Sequence, residues 1–132
     1  MDNEVTCLQL WKRWEKEAPH NLKVIETQRR IANYKKADWE EMVVDATLVI
    51  DKLKYLVVNN IDLDATESIE SMDYLEQHIN RYFFDIDLEH LLVMKFLLRF
   101  DQQYIKFFNG FEKGLANRLA SMIDLRVKEM TV

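Results

Sequence analysis

Glycine and proline are nearly missing, with two of the first and one of the second in 132 residues. Tight hairpins draw on such residues, so their scarcity argues against a sandwich or barrel and for helices. A single cysteine, Cys7, cannot close an intramolecular disulfide and is too few for a zinc site built on cysteine ligands. That usage fits a reducing compartment. A leader pattern is also missing: Asp2 and Glu4 stand where a basic segment belongs, and Lys12, Arg13 and Glu15 interrupt any apolar run. Cytoplasmic residence is the expectation.

Short enzyme signatures are absent as well, with no glycine-rich phosphate loop, GxSxG elbow, HExxH or CxxC. The sequence therefore supplies no catalytic residue, no cofactor-binding residue and no metal ligand set, and an enzyme is not the favoured class.

What remains is an ordinary globular balance, 48% hydrophobic and 31% charged, with a net charge of −5. A chain of this size buries about two-thirds of its unfolded surface, enough for a core. We expect an all-α, single-domain bundle over residues 1–132, with about five to six helices. Its organising stretch is 86–108, IDLEHLLVMKFLLRFDQQYIKFF, apolar on nearly its whole circumference and so expected at the centre of the bundle. His90, Lys95, Arg99, Asp101 and Lys106 interrupt it too often for a membrane span. Asp85 or Asp87 is placed to cap its start.

Helical spacing marks a first helix over 4–18, with Asn3 as its cap and Cys7, Leu10, Trp11 and Trp14 on its inward row. Pro19 ends it. A second follows over about 22–36, burying Leu22, Val24, Ile25 and Ile31, with Glu26 and Arg30 paired. Asp38 and Glu41 have capping-box spacing before a third, whose inward row includes Met42, Val49 and Leu53. Val44, Leu48 and Tyr55 give this helix a second stripe, suited to a neighbour on another side or to a different chain. Asp64 and Glu67 repeat the capping-box spacing before a fourth helix carrying Ile69, Met72, Leu75 and Ile79. The last runs from Asn109 to about 130 on Leu115, Ala116, Leu119, Met122, Ile123 and Val127, with Asp124 paired to Lys128.

Four carboxylates, Glu67, Glu70, Asp73 and Glu76, invite a metal or acid–base reading. Each step of three residues turns about 300°, so the set spirals around the helix instead of converging. A solvated acidic face is the simpler account. Asp87 and His90, three apart, are read as a cap beside a surface histidine, and Cys7 as a small core residue.

Charge is unevenly distributed. Residues 1–36 hold eight Lys or Arg against five acids, while residues 61–90 hold nine acids against Arg81 alone. Arg29, Arg30, Lys35 and Lys36 form the basic candidate surface, and Glu67, Glu70, Asp73 and Glu76 the acidic one, each placed to meet a partner. The leading functional reading is a non-enzymatic protein–protein interaction module, an adaptor, inhibitor or regulator, able to form a homodimer and without a membrane role. The alternative is a small nucleic-acid-binding regulator using the basic second helix.

Overall fold

The computed structural model describes residues 3–131, and side chains from Leu10 onward. Among these residues every regular element is a helix: α1 (Asn3–Glu17), α2 (Leu22–Ile31), α3 (Lys36–Val58), α4 (Thr66–Tyr82), α5 (Leu88–Phe100), α6 (Gln102–Asn109) and α7 (Leu115–Met130). They form an all-α bundle. The proposed Asn3 cap and the Cys7 core position lie outside the described side chains.

The stretch 86–108 is not one helix. It breaks at Asp101, whose extended backbone ends α5 and whose carboxylate accepts from the Tyr104 amide to start α6. Nor is α5 enclosed. Leu91, Met94 and Leu98 are buried, but Leu92, Val93, Phe96 and Phe100 on its opposite side face solvent, Phe96 at 60% and Phe100 at 67% exposure. Apolar circumference identified a helix with one core face and one uncovered face.

The enclosed helix is α7, which packs against α3, α4, α5 and α6. Leu115, Ala116, Leu119, Met122 and Ile123 are buried as their spacing requires, and Ala120 with them. The pairing of α5 with α7 is the most extensive in the bundle, followed by α3 with α4.

Several helix ends follow local chemistry. Asn21 caps α2, accepting from the amides of Lys23 and Val24, and Asp87 caps α5 through the His90 amide. Others differ from the spacing. Helix α3 starts at Lys36, so Asp38 is inside its first turn, accepting from the Lys35 amide. Ala65 precedes α4, leaving Asp64 outside the helix instead of capping it. The last helix starts at Leu115, not Asn109, because Gly114 turns the chain at φ 88°, while the Asn109 side chain still reaches the Ala116 amide. Helix α2 ends at Ile31 and leaves Leu22 and Ile25 exposed, while Thr27 is buried in their place, its hydroxyl donating to the carbonyls of Lys23 and Phe83.

Candidate functional site

The segment after α3 sets one wall of a groove. Asn59 ends α3 by donating from its amide and its side chain to the Tyr55 carbonyl, and Asn60 adopts φ 50°, a conformation that asparagine tolerates. The chain then folds back along α4 and α7. Ser68 donates its hydroxyl to the Asp62 carbonyl at 2.6 Å, and the Arg118 guanidinium donates to the same hydroxyl oxygen at 2.9 Å. One serine thereby ties the segment, α4 and α7 together.

The tie holds Leu63 opposite α7. Between them lies a solvent-open groove of about 330 Å³, lined by Leu63, Asp64, Ser121, Asp124, Leu125 and Lys128. That volume is at the low end of small-molecule sites, about 300–1,000 Å³. A second, much smaller cavity of about 10 Å³ shares Leu63 and Leu125 with it and is also lined by Ser68, Ile69, Met72 and Met122. It holds no more than about one water.

Charge borders this apolar floor. The Asp124 carboxylate accepts from Arg99 at 2.7 Å and lies 3.0 Å from the Lys95 ammonium, and these bonds hold it below its ordinary pKa and therefore ionised. The expected Asp124–Lys128 pair is thus replaced by a link from α7 to α5. Lys128 is exposed and has no ion-pair partner among the described residues. Arg126, which lines the smaller cavity, is clamped by Asp73 and Glu76 of α4. Burial raises the Glu76 pKa, opposed by that guanidinium.

Beyond Asp124 the surface continues onto α5. Phe96 precedes Arg99 by one turn on the same helix face, and its ring lies 5.0 Å from Phe100. Leu92 and Val93 complete an exposed apolar ridge.

None of the eight residues singled out from sequence lines the groove. Arg29 and Arg30 both bind Glu26, whose carboxyl falls to about 2 through their hydrogen bonds, and Arg30 also reaches Asp85. Lys35 and Lys36 are exposed at the start of α3, with Lys36 3.9 Å from Glu40. Asp73 and Glu76 turn to Arg126, while Glu67 and Glu70 face solvent. Among the described residues no three His, Cys, Asp or Glu side chains gather as a metal site, and no helix is long and apolar enough to cross a membrane.

One histidine is more deeply placed than its spacing suggested, and a second is also buried. His90 is not a surface residue: its ring sits 4.6 Å from Phe84 and 5.6 Å from Trp14, and burial, with Lys23 nearby, lowers its pKa to about 4. His78 is buried, with Nδ1 2.8 Å from the Asp45 carboxylate of α3. Leu63, Ser121, Leu125 and Arg118 were missed. Their only sequence signal was an isolated leucine in the acidic run IDLDATE and a polar residue within the apolar row of α7.

Residues 9–125 match the TipAS antibiotic-recognition domain. The chain belongs to this family. No curated protein and no solved structure matches it. Membership agrees with the helical bundle and with a regulator-type domain. The TipAS match spans every residue that lines the main groove except Lys128.

Proposed function

We propose that the chain is a non-enzymatic regulatory domain that recognises an antibiotic-like ligand in the groove between α7 and the segment 59–65. The supporting observation is the groove itself, an apolar floor of Leu63 and Leu125 with Ser121 and the charged Asp64, Asp124 and Lys128 around it, in a member of the TipAS family. Apolar contact supplies the bulk of affinity, and a few polar groups fix orientation. A compound longer than the groove extends over Asp124 onto Leu92 and Phe96 of α5. Binding biases the packing of α7, which touches four other helices, and so carries the signal into the bundle.

The nucleic-acid reading has less to draw on. Glu26 already neutralises much of Arg29 and Arg30, leaving Lys35 and Lys36 as the basic surface.

Calorimetric titration of the protein with a panel of antibiotics tests the proposal. At least one compound binds with one-to-one stoichiometry, and Leu63→Glu, exposed enough to fold normally, weakens it by at least about tenfold. An undiminished affinity in Leu63→Glu removes the groove as the site, and no binding across the panel removes the function.

A further inference from the structure

The longest helix, α3, has an outer face that no other described residue covers. Val44, Leu48, Tyr55 and Val58 are between 53% and 65% exposed. With Asp51 they follow one another at steps of four, three, four and three residues. This alternation keeps one line of side chains along a helix facing a second helix, as in a coiled coil. The line extends about 21 Å at 1.5 Å per residue.

Charge runs along the same face. One flank carries Glu40, 3.9 Å from Lys36, and ends with Lys54; on the other, Glu41 is held by Arg81 of α4 and the Lys52 ammonium lies over the Tyr74 ring. A parallel second copy sets acid beside acid. An antiparallel copy sets the acidic half of each helix over the basic half of the other.

We propose that α3 pairs antiparallel with α3 of a second copy of this chain, forming a two-fold dimer centred near Thr47. Centred there, Lys54 of each copy lies near Glu40 of the other. Val44 and Leu48 fill the middle. Asp51 and its counterpart are then separated by about 12 Å along the axis, more than a Debye length at physiological salt, so their repulsion is screened. Identical surfaces meeting about a two-fold axis close the assembly at two copies.

Sedimentation equilibrium of the full chain over a range of concentrations reads the association directly. The wild type is expected as a monomer–dimer equilibrium that weakens as salt rises. Leu48→Glu is expected to raise the dissociation constant at least about tenfold with unchanged far-ultraviolet dichroism, since the side chain already faces solvent. Phe96→Glu, on the uncovered face of α5, is expected to leave it unchanged. In a Cys7→Ser background, Thr47→Cys is expected to form an intermolecular disulfide under mild oxidant, where Phe100→Cys does not. A monomer at every concentration overturns the proposal and leaves the α3 face to some other chain. A dimer that survives Leu48→Glu or is lost in Phe96→Glu also overturns it, by showing that another surface is used.

Discussion

Arg13 and Asp101 meet across 88 residues of sequence, the guanidinium Nη1 3.0 Å from the carboxylate Oδ1. The same carboxylate accepts from the Tyr104 amide. The joint between α5 and α6 is therefore also the seat of α1, and both bonds hold Asp101 below the usual carboxylate range.

Removing one partner separates the two roles. Asp101→Ala loses the cap of α6 and the seat of α1 together, and is expected to cost about 1–2 kcal/mol in urea unfolding. Arg13→Ala keeps the cap and is expected to cost less than about 1 kcal/mol, as for a partly exposed pair. Equal losses would show that the cap contributes nothing.

Position in the bundle sets the scale of core substitutions. Leu119 on α7 is fully buried, so Leu119→Ala is expected to cost about 2–5 kcal/mol. Leu92→Ala, on the outer side of α5, is expected to change stability by less than about 0.5 kcal/mol. Chemical denaturation of both variants distinguishes a bundle centred on α7 from one centred on α5.

His90 makes stability depend on pH in a defined window. Its folded pKa of about 4 lies below the ordinary 6.5. Above 6.5 the ring is neutral in both states. Between about 6.5 and about 4 the unfolded chain takes a proton that the folded chain does not, so stability falls as pH falls. Allowing for the ring's partial exposure, the loss by pH 5 is about 1 kcal/mol. His90→Phe removes that slope, which unfolding midpoints at pH 7.5 and 5 measure. An unchanged slope would assign the loss to other groups.

Ser68 holds the groove wall. In Ser68→Ala the Asp62 carbonyl keeps only the Ala65 amide as donor and the Arg118 guanidinium loses its acceptor, while Arg118 Nε is already buried without a partner. We expect a cost of about 1–3 kcal/mol and faster amide exchange over residues 61–65. Exchange confined to other segments would contradict the tie.

Local patterns were legible in the sequence where the cause was local. The Asp87 cap, the Glu26–Arg30 pair and the buried row of α7 all rest on spacings within a few residues. The stripe Val44, Leu48 and Tyr55 suited either a neighbour on another side or a different chain, and its exposure goes against the first. The break at Asp101 was not, because one acidic residue in an apolar run looks like an exposed helix position until Arg13 is brought to it. Leu92 and Phe96 were misplaced for a related reason: apolarity records hydrophobic surface, not whether another helix covers it. The groove was hidden because Leu63 and Leu125 face each other only after Ser68 and Arg118 draw the segment against α7.

The most direct measurement is a methyl-resolved NMR titration with an antibiotic that binds in calorimetry. The groove account predicts the largest shifts at the methyl groups of Leu63 and Leu125, with smaller ones at Leu92 on α5. Shifts confined to α2 or to the outer face of α3, with those groove methyls unmoved, would contradict it.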